Sequence, residues 1–192
     1  MKHIHVDLGK DSYDIHIENG LLDRAGDYIR NLTKSQNLAV ISDSKVDALY
    51  GQRLETVLTK AGFRVHRLVF PAGEEHKCAA TLLDLYQQLS DAGITRSDCI
   101  LTFGGGVTGD LGGFAAATFL RGVPFIQIPT TIISQVDSSV GGKVAIDLPS
   151  GATPPEVKAL RAGLAEKLPP YMVPARFEAL PAMPRLQSGK ID

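Results

Sequence analysis

Hydrophobic and polar positions follow two alternating rhythms along most of this chain. Residues 4–8 and 13–17 alternate apolar with polar, which predicts two strands joined through Gly9, Lys10, Asp11 and Ser12. Residues 21–32 have helical spacing. Residues 38–41 are a short apolar run ending in Ser42 and Asp43, as a buried strand would. Residues 48–62 return to helical spacing, with Leu49, Leu54, Val57, Leu58 and Ala61 on one side and Gly62 just past the end. The pattern then recurs. A strand over 65–70 precedes a helix over 79–92 stopped by Gly93, and a strand over 99–103 precedes a small-residue helix over 109–120. A last strand, 125–128, ends in Pro129.

Strands alternating with helices predict an α/β fold: a Rossmann-like parallel sheet with helices on both faces. In such sheets ligands bind beyond the carboxyl ends of the strands, so chemistry is expected just after each apolar run. At Gly151 the texture changes. Pro149, Pro154 and Pro155 mark a linker, residues 156–168 are an amphipathic helix, and a proline-rich stretch follows. Two domains are expected: 1–151, and a short α+β appendage at 152–192.

Composition narrows the classes. A 192-residue chain that is 44% hydrophobic can bury a core, and a formal net charge of -1 with interspersed signs lacks the basic face of a nucleic-acid binder. The two cysteines, Cys78 and Cys99, have no CxxC spacing, which argues against a disulfide framework or thiolate zinc. No signal-type apolar region opens the chain, and no apolar run reaches membrane length. The expected setting is the cytoplasm, without membrane or nucleic-acid partners.

The sharpest motif is Gly104-Gly105-Gly106-Val107-Thr108-Gly109-Asp110, between a strand and a helix. Glycines permit unusual backbone angles and close approach of a ligand, and amides at a helix start can hold a pyrophosphate. The other reading is a tight structural turn. Asp43 can accept from ribose hydroxyls or cap a helix. Gly73, Glu74 and Lys77 form a polar loop after a strand. Thr130 and Thr131 can contact a cofactor or cap the next segment. Arg121 ends the glycine-opened helix, and residues 137–143 form a second glycine-containing loop in which Asp137 and Lys143 can pair. His3 and His5 share one strand face, where exposed histidines are commoner than a metal pair.

These segments, with residues 114–118, 120–124, Gln127, 129–131 and 135–143, resemble 3-dehydroquinate synthase. The resemblance implies NAD held by Asp43, Gly73, Glu74, Lys77, Gly105, Gly106, Val107, Thr108, Gly109, Asp110, Thr130, Thr131 and Lys143. It implies Arg121 on the substrate phosphate, and Asp137 and Lys143 where nicotinamide meets substrate. The implied reaction is NAD-dependent phosphate elimination and cyclisation of 3-deoxy-D-arabino-heptulosonate 7-phosphate, in the shikimate pathway, by a homodimer. Zinc or another divalent metal serves in the family, but the glutamate and two histidines that hold it have no counterpart here, and no histidine follows His76. No metal ligand is therefore assigned, and this chain alone is expected not to turn over. Other readings are an NAD-binding module without turnover and a related sugar-phosphate cyclase. Residues 152–192 resemble instead the C-terminal subdomain of acyl-adenylate-forming enzymes, with Lys190 at that family's lysine and expected to be inert. The chain reads as two fragments joined near Gly151.

Overall fold

The structure, a computed structural model, describes residues 2–7, 9, 12–141 and 144–147. The expected domain boundary at Gly151, the appendage and Lys143 lie outside the described residues. Strands β1 (Lys2–Val6) and β2 (Tyr13–Ile17) form an antiparallel hairpin in which His3 faces His16 and His5 faces Asp14. Four further strands make the main sheet: β3 (Asn37–Asp43), β4 (Arg64–Phe70), β5 (Cys99–Gly104) and β6 (Phe125–Pro129). They pair in parallel in the order β4-β3-β5-β6.

Helices α1 (Ala25–Leu32), α2 (Ser44–Val46), α3 (Gln52–Lys60), α4 (Ala79–Asp91) and α5 (Gly106–Thr118) connect these strands. The twofold period of β3 shows that both faces are covered. Leu38 and Val40 pack with Ala25, Ile29, Leu54 and Leu58 of α1 and α3. Ala39 and Ile41 pack with Leu82, Leu85, Leu111 and Ala115 of α4 and α5. Each fully buried leucine or isoleucine contributes roughly 1.5–3 kcal/mol, so the sheet is a rigid platform for whatever its ends carry. The predicted α/β architecture is thus present. No helix among the described residues is long and apolar enough to cross a membrane.

Polar groups fix the layers at two places. Asp98, 5% exposed, accepts from the Ser35 hydroxyl (2.9 Å), Asn37 Nδ2 (3.0 Å), the Thr95 amide (2.8 Å) and the Thr95 hydroxyl (2.7 Å). This joins the start of β3 to the turn before β5. On β4, the Arg67 guanidinium grips Asp47 through Nε and Nη2 (2.9 and 2.6 Å) and reaches Glu55 at 3.0 Å.

Two helices depart from the sequence pattern. The helical segment expected over 48–62 begins at Ser44, because Asp43 Oδ1 accepts from the amides of Lys45 and Val46, both at 3.0 Å. It then passes through a π-helical turn, Asp47–Gly51. The wider turn rotates the residues before it out of register with those after it. Leu54 and Leu58 are buried as expected, whereas Leu49 is 64% exposed. Helix α5 starts at Gly106 rather than Gly109, so the glycine motif forms its first turn.

Candidate functional site

A parallel sheet sends all its strand ends to one side. Asp43 ends β3, the Gly73–Lys77 turn follows β4, Gly104 ends β5, and Thr130 follows β6. The structure thus brings together, along one edge of the sheet, most of the residues expected to hold a cofactor.

At its centre is the start of α5. Gly105 is the N-cap, in extended conformation, and brings no side-chain acceptor to the first-turn amides. Those amides have no partner within the helix. None of Gly104, Gly105 and Gly106 has positive φ, so the expectation that the motif exploits unusual backbone angles is not met. The glycines serve close approach instead. A Cβ on Gly104 would collide with Thr108, one on Gly105 would stand 3.3 Å from Thr131 Cγ2, and one on Gly106 would stand 3.5 Å from Ser138 Oγ. A cavity of about 10 Å³, enough for one water, lies between Gly104, Gly105, Gly109, Gln127 and Ser138.

The two threonines after β6 divide the roles proposed for them. Thr131 caps the turn that follows: its hydroxyl lies 2.9 Å from Ser134 Oγ, and the Ser134 amide donates to it at 3.2 Å. The Thr130 amide donates to the Gly104 carbonyl at 2.9 Å, tying β6 to the glycine turn. Its hydroxyl is buried with no hydrogen-bond partner. Asp43 combines the cap with a second contact, accepting from the Thr108 hydroxyl on Oδ2 at 3.2 Å. A carboxylate offers about four lone-pair sites, so these bonds leave it acceptor capacity.

Lys77 anchors the other flank. Its side chain is 14% exposed, and Nζ lies 2.8 Å from Glu74, 3.4 Å from Asp147 and 3.7 Å from Asp110. Burial works against the ammonium, but the hydrogen bond to Glu74 and the three carboxylates outweigh it and raise its pKa. Burial also raises the pKa of Asp110, against the opposing pull of Lys77. Asp147 was not foreseen as a site residue. Its amide donates to the Lys77 carbonyl at 2.6 Å, and it forms a parallel bridge with Cys78. That contact joins positions 70 residues apart, and no local sequence pattern signals it.

Two other expected residues lie differently. Asp137 falls in a π-helical turn, Ser134–Ser138, beside Ser138 and hence near Gly106. Arg121 is at the far end of α5, beyond roughly 20 Å of helix. It and Leu120 have φ of 68° and 51° and precede Gly122 at 109°. Left-handed angles cost a non-glycine residue about 1–2 kcal/mol each, so the surrounding fold holds this reversal in place. Both cysteines are free, and burial pushes the Cys99 thiol up to about 12.

Residues 67–153, which include the glycine turn, Lys77, Arg121 and Asp137, match a family model described as 3-dehydroquinate synthase N-terminal. The match is to the N-terminal region of the 3-dehydroquinate synthase family. The 3-dehydroquinate synthase of Clostridium acetobutylicum is 48% identical over 151 residues, 79% of this chain and 42% of that protein. That of Pelobacter propionicus is 52% identical over 146 residues, 76% of this chain and 41% of that protein. The chain thus spans about two fifths of the length of these relatives. A 2-deoxy-scyllo-inosose synthase, solved with carbaglucose-6-phosphate, NAD+ and Co2+, superposes with a TM-score of 0.72 at 29% identity. The superposition covers 78% of this chain and 40% of that one.

Proposed function

We propose that the strand-end site holds NAD and serves the 3-dehydroquinate synthase reaction on a phosphorylated seven-carbon keto acid. The observation that carries this reading is the set of donors without protein acceptors at one place. The first-turn amides of α5 have no side-chain cap, and the buried hydroxyl of Thr130, whose amide donates to Gly104, has no partner. An anionic dinucleotide supplies the acceptors such a set lacks. Residues Gly105, Gly106 and Val107 would face the pyrophosphate. Asp43 would accept from a ribose. Lys77, steadied by Glu74, Asp110 and Asp147, would fix the position of these carboxylates at the cofactor's polar groups. NAD, when bound, accepts a hydride and returns it, which transiently acidifies a C–H beside the oxidised carbon so that phosphate can leave.

Among the described residues, the strand ends present no group of three ligand atoms close enough to share an ion. The 192-residue chain by itself is expected to hold NAD without turnover. A phosphate-release assay with added zinc checks this, with a complete synthase alongside; comparable rates would overturn it. Arg121 stands too far along α5 to reach a ligand at Gly106 of the same chain. Its proposed role on the substrate phosphate would lie away from the glycine turn, and a homodimer is part of this reading. The likeness to 2-deoxy-scyllo-inosose synthase supports a second reading, a related sugar-phosphate cyclase. Substrate competition for the NAD-loaded protein separates the two.

The cofactor test is direct. Calorimetric titration with NAD should show binding, and Gly106→Val should weaken it about tenfold or more, a loss of about 1.4 kcal/mol. The valine would intrude between the amides and their ligand. Equal affinity in the two proteins would remove the glycine turn from the site.

A further inference from the structure

The β1–β2 hairpin carries a cluster that the strand-end site does not use. Antiparallel pairing sets His3 opposite His16 and His5 opposite Asp14, and the twofold strand period puts all four on one face. His3 Nε2 and His5 Nδ1 lie 3.0 and 2.8 Å from the same oxygen of Asp14. The His3 and His16 rings stack with centroids 5.1 Å apart, and Tyr28 of α1 packs against His16 with centroids also 5.1 Å apart. One ring nitrogen or carboxylate oxygen from each of His3, Asp14 and His16 lies within 4.8 Å of the others. Nδ1 of His16 is buried and has no hydrogen-bond partner. That vacancy is a second observation pointing to a ligand, because a buried polar atom without a partner is costly.

We propose that His3, Asp14 and His16 form a binding site for a borderline divalent transition-metal ion, with Zn2+ as the representative. Two imidazoles and one carboxylate are the donor set such ions take, whereas calcium and magnesium prefer oxygen alone. Tetrahedral zinc with bonds of about 2.0–2.2 Å places its ligand atoms about 3.3 Å apart. His3 and Asp14, 3.0 Å apart, are within a few tenths of an ångström of that separation. Small rotations about the side-chain bonds of His3 and Asp14, both half-exposed, bring the set into contact with one ion. His5 donates to the carboxylate and orients it, in the manner of partners that sit behind metal ligands. Water completes the shell on the exposed side. The site is independent of the NAD reading.

The experiment is a Zn2+ titration of the full chain after removal of metal, by calorimetry and by NMR of the histidine rings. One equivalent should bind, moving the His3 and His16 ring signals together and leaving that of His66 on β4 in place. His3→Asn, Asp14→Asn and His16→Asn should each weaken binding about tenfold or more, and His66→Asn should leave it unchanged. Should His16→Asn loosen the packing against Tyr28, the two half-exposed positions still decide the matter. An unaltered thermal midpoint and circular dichroism spectrum in these variants show that the fold is intact. No saturable Zn2+ uptake by the parent chain, or parent-like uptake by both His3→Asn and Asp14→Asn, would overturn the assignment.

Discussion

Asp98→Ala is expected to lower the stability of the domain by about 3 kcal/mol. The carboxylate is the common acceptor for Ser35, Asn37 and both donors of Thr95, and it is buried where water cannot replace it. Alanine would leave these donors short of an acceptor and would uncouple the start of β3 from the turn that launches β5. Burial opposes the charged form, but the hydrogen bonds, led by that from the Thr95 hydroxyl, outweigh it and hold the pKa below the usual carboxylate value. A depressed folded-state pKa contributes stability that is present above the unfolded pKa. It is lost as pH falls through the folded value, below about pH 4. Urea denaturation at neutral pH measures the main effect, and the acid limb of the parent's stability profile, flattened in the variant, measures the second. A change under about 0.5 kcal/mol would mean that the donors find other acceptors.

Gly112→Val should cost a similar amount, about 3 kcal/mol, and should also weaken NAD binding. A Cβ at this position would collide with Thr102 Cγ2 and stand 3.4 Å from Ile41 Cγ2. Thr102 and Ile41 are 2% and 0% exposed, so neither can swing away. Alanine in place of glycine gains about 1 kcal/mol of helix propensity, which offsets part of the crowding, so Gly112→Ala should fall between the two. Valine adds two more methyl groups and a branched carbon that helices tolerate less well. Its insertion would lift α5 off the sheet and tilt the amides at Gly106. Thermal unfolding should show a drop of roughly 10 °C for a domain of this size. An unchanged midpoint would mean that the helix can stand off the sheet at no cost.

The sequence and the structure agree where a local rule governs. Gly62 and Gly93, with φ of 86° and 66°, end their helices where the pattern stopped, and the apolar runs became buried strands. Disagreement begins where geometry accumulates over several residues. The face of Leu49 depends on a π turn that spacing cannot reveal, and the start of α5 at Gly106 depends on glycines that carry no periodic signal. At the candidate site, residues that follow strands were legible because parallel topology gathers strand ends. Asp147 was not, because its approach to Lys77 depends on the path of the chain back across the fold. The roles of Thr130 and Thr131 separated only once hydrogen-bond partners could be counted. Arg121 shares its motif with the site in sequence but not in space, since the length of α5 lies between.

The grip of Arg67 on Asp47 and Glu55 bears on how these molecules behave beside one another. Strand β4 is one of the two outermost members of its sheet among the described residues, and an outermost strand offers a row of N–H and C=O groups to any extended chain that drifts past. The guanidinium ties this rim to the π turn and α3 on one side, so β4 cannot readily peel outward. Arg64 and His66 add polar side chains to the same strand. A newcomer adding itself as a fifth strand here would have to settle beside a cation already shared between two carboxylates, which deters self-templated growth at this rim. Replacing Arg67 with an uncharged residue would strip that deterrent, and the first sign would be concentration-dependent light scattering well below the unfolding temperature.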